Sequence, residues 1–326
     1  MHPIRRLAAC AAAATFAFAA LPLTAHAQAF PSKPLRLVVP FPPGGAADLS
    51  GRLLAEVMSK SLGQPMVVEN RPGGSTIIGA EVVFRSPPDG HTLLVVFPSF
   101  IVNPLLRSNM PFDPLKDFRG VGQTLAVPMV IAAHPSVAAN NLKELIALAR
   151  AKPGELSYGT PGLGTTHHVM GELLKLTTKI NITHAPFQGG GPAIAAVTGG
   201  HIQLVYGNAN EVGPSAKGGK VKPIVVTSRE RAEVLPDTPT MRESGFPELE
   251  ATNWSGLVVS AATPTASIAR LNKDLNAALA TAEVQAKFKG FGMVPTPSTP
   301  EQFQAFLQSE TALYGRVVKE AGVKAE

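Results

Sequence analysis

The sequence predicts an α/β protein of two lobes, and three observations carry that prediction. Short runs rich in Val, Ile and Leu alternate with stretches of helical periodicity from Leu35 onward. The apolar runs are continuous rather than alternating, as expected of strands covered on both faces in mostly parallel sheets. The repeated strand–helix units are too many for one small sheet, and no long linker interrupts them. The chain should therefore cross between two sheets at short hinges, with right-handed crossovers inside each.

Taken in order, the expected strands are Leu35–Val39, Pro65–Val68, Thr92–Phe97, Pro128–Ala133, Leu156–Tyr158, Ile182–Ala185, Ile202–Tyr206, Pro223–Thr227 and Gly256–Val259, each bounded by Gly, Pro or Asn. Between them, Leu49, Leu53, Leu54, Val57, Met58 and Leu62 recur at helical spacing, and Gly63 supplies a stop. Leu142, Leu145, Ile146 and Ala149 repeat the pattern behind an Asn141–Glu144 cap pair, and Val169, Met170, Leu173 and Leu174 repeat it again. Near the C-terminus, Thr299-Pro300-Glu301-Gln302 is a capping arrangement with Pro at the first helical position, followed by Phe303, Phe306 and Leu307.

The first 27 residues read as a leader and not as part of the fold. Arg5 and Arg6 precede an apolar stretch over residues 7–23, and Ala25-His26-Ala27 is a small-x-small cleavage site before Gln28. A cleaved signal peptide predicts export to the periplasm. Cys10 is the single cysteine, so cleavage would leave a mature chain with neither disulfide nor thiol chemistry. Outside the leader, 27 Lys and Arg face 23 Asp and Glu with no dense basic cluster, which argues against a nucleic-acid face.

Chemistry concentrates at three corners of one kind. The first, "LVVPFPPGGAADLSGR", runs from a strand through three prolines and two glycines into a helix. The second follows Tyr158 as "GTPGLGTTHHVMGELL", and the third follows Ala185 as "PFQGGGPAIAAV". Ligands of open α/β sheets bind beyond the carboxyl ends of strands, where such corners lie. Glycine lets a ligand approach the main chain, and the following helix offers unpaired N–H groups and the positive end of its dipole. Three such corners can receive an anion without Lys or Arg.

Catalytic and nucleotide motifs fail on inspection. Gly159 and Gly164 have P-loop spacing, but Thr165 stands where Lys is needed. Gly162-Leu163-Gly164 reaches His167 rather than a third glycine, and neither H-E-x-x-H nor G-x-S-x-G occurs. His168 and Glu172 are four apart on one helix, a pairing better suited to a surface or capping role than to a metal. Asp48 either meets a ligand amine or satisfies amides of its own helix, and Trp254 reads as core or hinge packing. No cofactor and no metal are expected.

Across these segments the chain resembles the Bug-type solute receptors, the periplasmic substrate-binding proteins of tripartite tricarboxylate transporters. Besides the three corners, the resemblance rests on "VVENRPGGSTIIGAEVV", "SPPDGHTLL", "LPDTPTMRESGFPELEATNWSGLVVSAATP" and "STPEQFQAFLQSE", in the family's order. It implies a two-lobed, type II-like binding protein that closes on a small carboxylate and hands it to membrane subunits, with no catalysis. It places lobe 1 at residues 28–125 plus 229–326 and lobe 2 at 126–228. It carries ligand contacts onto Phe41, Pro42, Gly44, Gly45, Ala46 and Asp48 of the first corner. On the other lobe it carries them onto Thr160, Gly164, Thr165 and His168, and onto Gln188, Gly189, Gly190 and Gly191. Ser99 and Asn208 stand where further contacts would come from. A monomer is expected.

Departures from the family pattern bear on the ligand. Phe187-Gln188 stands where relatives commonly carry Tyr-Lys, which removes a cation from the third corner. The stretch "VVFPSF" brings Phe97 and Phe100 where small hydroxylated residues are usual, and "GNANE", Gly207–Glu211, is individual to this chain. With fewer cations and more aromatic surface, from Phe41, Phe97, Phe100 and Phe187, the expected ligand is a monocarboxylate or an aromatic acid rather than a tricarboxylate. A second reading is a sensor that presents its ligand to a membrane histidine kinase. A remote third is a secreted α/β hydrolase, for which no nucleophile motif is present.

Overall fold

Leu35, Leu37, Val38 and Val39 are fully buried, and covering this run on both faces is what makes it a strand, β1 (Leu35–Val39). In the computed structural model β1 lies between β2 (Met66–Asn70) and β3 (Thr92–Val96), parallel to both. The structure describes residues 30–44, 46–73 and 76–322; the expected signal peptide falls outside them.

Beyond β3 the sheet continues through β9 (Thr252–Ser260) and β4 (Phe118–Ala133) to β10 (Val294–Pro295), all joined antiparallel. A second sheet runs β8 (Lys222–Val226), β4, β7 (Leu204–Asn208), β5 (Ser157–Thr160) and β6 (Thr183–Pro186). Strand β4 belongs to both sheets. Its residues Phe118–Pro128 pair with β9, and Met129–Ala133 pair with β7. Pro128 stands at the exchange, and having no N–H it suits the last position of one ladder better than an interior one. The return crossing lies alongside. Thr227 donates its N–H to the Met129 carbonyl (2.9 Å) and accepts from Ala251 N–H (2.8 Å).

The sheets are thus mixed. Strands inside each lobe's strand–helix repeats are parallel, and the two that carry the chain between lobes are antiparallel to their neighbours. The sequence predicts β4 only from Pro128, yet it starts at Phe118. Gly120 and Gly122 dilute its apolar signal for a packing reason. A Cβ at Gly120 would meet Phe303, and one at Gly122 would meet Asn272 and Leu275. One register shift in the β4–β9 ladder falls between Gly120 and Gly122, and a second between Gln123 and Leu125.

Helices cover the sheets: α1 (Ala46–Leu62), α2 (Ile77–Phe84), α3 (Ser99–Leu106), α4 (Leu142–Ala151), α5 (Thr166–Thr178), α6 (Gly190–Thr198), α7 (Ala209–Lys217), α8 (Thr265–Leu279), α9 (Ala282–Gly290) and α10 (Pro300–Ala321). Asn141 caps α4 by accepting from Glu144 N–H, and Thr299 with Gln302 forms a full capping box on α10. Helix α10 packs on β4 and touches both α3 and α5, so its apolar face serves both halves of the molecule. Trp254 of β9 is fully buried against Phe303 and Phe306 of this helix.

Candidate functional site

All three glycine corners follow strand ends. The first leaves β1 and enters α1, and its loop is held by one acid. The Asp48 carboxylate, 3% exposed, accepts from Gly44 N–H (2.9 Å), Arg52 Nε (3.0 Å) and Asn70 Nδ2 (2.9 Å). Asn70 Nδ2 also donates to the Phe41 carbonyl (3.1 Å). The Arg52 hydrogen bond is the main reason the Asp48 carboxyl is held down to about 2. Asp48 therefore organises its own corner. Gly44 has φ +85°, a left-handed conformation that glycine adopts without strain, and with Pro42 it is exposed. Gly45 lies outside the described residues, and Ala46 opens α1.

The second corner is tied down from within. Thr160 is fully buried, its Oγ1 2.7 Å from His184 Nε2. Thr165 caps α5 by accepting from His168 N–H (3.3 Å), and its hydroxyl donates to the Gly162 carbonyl (2.8 Å). His168 turns inward: its Nδ1 accepts from Gly164 N–H (3.2 Å) and its ring stacks on His184 at 4.0 Å. Burial keeps both imidazoles below the ordinary histidine value, His184 at about 3. Glu172 is taken by the Tyr158 hydroxyl (2.7 Å) and Lys175 (2.9 Å). No group of three His, Cys, Asp or Glu suited to a metal occurs among the described residues. Gly164 (φ +71°) faces lobe 1, where a Cβ would meet Leu106 and Val102 of α3.

The third corner rests on the second: Phe187 N–H donates to the Thr160 carbonyl and Gly189 N–H to the Pro161 carbonyl, each at 3.0 Å. Gln188 and Gly191 are exposed. Gly189 has φ +116° and precedes α6, whose first residue, Gly190, is covered by the Glu211 side chain. A Cβ at Gly190 would run into the Glu211 carboxylate.

Between the lobes lies a narrow cavity of about 40 Å³, room for a few water molecules, and none of the corner glycines is in its lining. Ser50 of α1 and Phe97 line it from lobe 1, Leu125, Val127 and Asn253 from the crossing strands, and Asn208, Asn210 and Glu211 from lobe 2, with Met293 closing it. The polar members form a chain. Asn208 Oδ1 accepts from His167 Nε2 (3.0 Å) and from Asn253 Nδ2 (3.5 Å), while Asn208 Nδ2 donates to Glu211 Oε1 (3.3 Å). Thr166 Oγ1 donates to Asn253 Oδ1 (3.4 Å). Burial holds His167 down to about 4, so its ring is neutral. Because Nε2 faces an acceptor it carries the proton, which leaves Nδ1 a buried acceptor without a partner.

Of the candidate residues, Asn208 lines this cavity directly. Phe41 reaches its edge by packing edge-to-face on Phe97, with ring centres 5.1 Å apart. Ser99 opens α3 with its hydroxyl 3.4 Å from that of Thr76. Phe100 requires a correction. It points into the core, 2% exposed, packed on Phe112 and Phe118 from within α3, whereas Phe97 precedes the helix on the other side of Pro98. Phe187 packs across Gly159. His167, Asn210, Glu211 and Asn253 are cavity or network residues that the sequence reading does not single out. The unusual "GNANE" segment was the available signal for two of them.

The model of the tripartite tricarboxylate transporter family receptor matches residues 51–323. Among characterised sequences, protein BugT of Bordetella pertussis is 34% identical over 300 residues, covering 91% of this chain and 92% of that one. Among solved structures, an R. palustris protein with adipate is 32% identical with a TM-score of 0.79, covering 90% of this chain and 99% of that one. MatC from Rhodopseudomonas palustris with bound malate is 31% identical with a TM-score of 0.75, covering 89% of this chain and all (100%) of that one. The periplasmic binding protein BugD is 33% identical with a TM-score of 0.76, covering 91% of this chain and 100% of that one. By sequence and by fold, the chain belongs to the tripartite tricarboxylate transporter receptor family, and it is a two-lobed solute-binding receptor.

Proposed function

We propose that this protein works in the periplasm, where it captures a small organic carboxylate between its lobes and delivers it to the membrane subunits of a tripartite tricarboxylate transporter. The observation that supports this most is the convergence of polar groups from both lobes and from the crossing strands on one cleft, in a chain whose similar structures hold adipate and malate. In this reading the ligand meets the first corner, Phe41–Asp48, across from the glycines of the second and third corners, and Asn208 contributes from the end of β7. The leader over residues 1–27 directs export and is cleaved, and the receptor acts as a monomer.

The energetics are sufficient. Charge-assisted hydrogen bonds contribute roughly 1.5–3 kcal/mol each, and micromolar affinity requires about 8 kcal/mol. About four such bonds, together with water exclusion on closure, reach that figure after the cost of ordering. In this reading the lobes part to admit the acid and close on it. The hinge in this reading is Pro128–Met129 with Thr227–Ala251.

The test has two arms. Calorimetric titration of the purified protein against mono-, di- and tricarboxylates should find micromolar binding of at least one. Uptake of that acid should then fail in a strain lacking the gene. Binding with undiminished uptake, accompanied by loss of a transcriptional response, would replace delivery with sensing. Turnover of the bound acid would overturn the receptor reading altogether.

A further inference from the structure

The cleft of this receptor is lined by an acid and by no base. None of the residues lining the cavity is Lys or Arg, and one of them, Glu211, is an acid. Its carboxylate lies directly over Gly190, the first residue of α6, where a glycine corner would otherwise present open amides to an anion. Oε1 is positioned by Asn208 Nδ2 (3.3 Å), and no side-chain cation pairs with the carboxylate among the described residues. A second acceptor lies in the same cavity. Asn210 donates through Nδ2 to the Phe291 carbonyl (2.6 Å), which leaves its Oδ1 buried without a hydrogen-bond partner. On another wall, Ser50 belongs to the first turns of α1, the helix that follows the first glycine corner.

The two ends of the cleft therefore ask for opposite charges. A dicarboxylate long enough to reach both walls would set its second anion against Glu211. Two like charges in a partly desolvated cleft repel, and no lysine or arginine is present there to offset them. We propose that the ligand is a monocarboxylate that also carries an ammonium group, the carboxylate bound at the first corner and the ammonium donating to Glu211 and Asn210 Oδ1. The proposal rests on the receptor reading above and names the chemical class that its site accepts. An ammonium has three N–H donors and no acceptor, which matches a wall made of acceptors. Burial by the cleft walls pushes the Glu211 carboxyl above the ordinary glutamate value, a penalty that an ammonium partner would relieve. The apolar lining of Phe97, Leu125, Val127 and Met293 suits an unsubstituted hydrocarbon spacer between the two charges.

Matched pairs of probes test this: succinate with 4-aminobutanoate, glutarate with 5-aminopentanoate, and adipate with 6-aminohexanoate. In each pair a carboxylate is exchanged for an aminomethyl group at nearly constant length. Calorimetry on the wild-type protein should show the best amino acid binding at least tenfold tighter than its dicarboxylate. Glu211→Gln, which keeps the shape of the side chain, should cut that preference tenfold or more, mainly through weaker amino-acid binding. Gly190→Ala should act in the same direction by displacing the carboxylate from the corner, with no change in thermal unfolding. A wild-type preference for dicarboxylates would overturn the inference while leaving the receptor reading intact. A preference that survives Glu211→Gln would overturn the role of Glu211. Binding of no carboxylate at all, alone or with an amine, would overturn both readings.

Discussion

Asp48→Asn removes one charge and keeps the shape of the side chain, and its consequences can be worked out from the geometry. The native carboxylate joins three parts of the chain: the Gly44 amide, Arg52 on α1 and Asn70 at the end of β2. Those contacts hold its carboxyl at about 2, against an ordinary value of 3.8. At about 1.4 kcal/mol per unit, that depression is worth at most about 2.5 kcal/mol. Arg52 is 50% exposed, so solvent screening brings the realised contribution nearer 1–2 kcal/mol. The folded value lies below the unfolded one. The contribution is therefore complete above about pH 5 and is lost as pH falls through 3.8 toward 2.

Urea unfolding of both proteins at several pH values is the assay. The variant should be less stable by about 1–2 kcal/mol at pH 7 and at pH 5, and the gap should close steadily below pH 4. Other carboxyls held low by their partners, such as Glu69 and Asp113, lose their contributions over the same range in both proteins and cancel in the difference. A gap that stays constant from pH 7 to pH 2.5 would refute the reasoning. It would mean that Asp48 acts through shape and neutral hydrogen bonds, which asparagine disturbs equally at every pH.

Three further expectations follow from the same kind of bookkeeping. A Cβ at Gly256 would overlap the Phe303 ring, so Gly256→Ala should lower the urea midpoint by an amount equivalent to about 1–3 kcal/mol with an unchanged m-value. Glu310 is pushed above the ordinary glutamate value by burial, although Trp254 Nε1 donates to it at 3.0 Å; its contribution is present at low pH and lost as pH rises through its folded value, so Glu310→Gln should lose less stability than wild type between pH 4 and pH 8 in thermal unfolding. If the lobes turn about Pro128–Met129 and Thr227–Ala251, small-angle scattering should give different radii of gyration with and without a tight ligand, and identical curves at saturation would count against hinge closure.

Most of the fold is legible in the sequence because its determinants are local. Four of the five residues 35–39 are apolar and buried, with Arg36 the exception, and they form an interior strand. Thr299 and Gln302 are three apart, and they form the capping box they advertise. What the sequence hides are the places where a neighbour from elsewhere decides. The first half of β4 carries glycines because Phe303 and Asn272 press on it from residues about 150 or more positions away, so local periodicity understates the strand. Phe97 and Phe100 read alike as aromatic residues near a corner, yet one lines the cleft and the other enters the core with Phe112 and Phe118. Only the start of α3 after Pro98 separates them.

The same distinction explains the site. Asp48, Thr165 and His168 attract attention because they stand beside glycines, and polar residues beside glycines are the ones nearest to the turn's own amides. Each is indeed taken by its own loop: Asp48 by Gly44 N–H, Thr165 by the Gly162 carbonyl, His168 by Gly164 N–H. A side chain that has satisfied its own turn has few lone pairs or protons left for a ligand, but it holds that turn in one shape. The side chains left to face the cleft come from elsewhere. Asn208, Asn210 and Glu211 stand at the junction of β7 and α7, and Asn253 lies on a crossing strand. Their meeting depends on β7 pairing with β4, and on β4 pairing with β9. Those are contacts between residues tens to more than a hundred positions apart. A ligand-binding cleft between two lobes must be built this way, since groups that answer to one lobe alone cannot sense whether the other has closed. The division of labour is then physical: residues near each other in sequence shape the three corners, and residues brought together by the crossing strands give the cleft its charge.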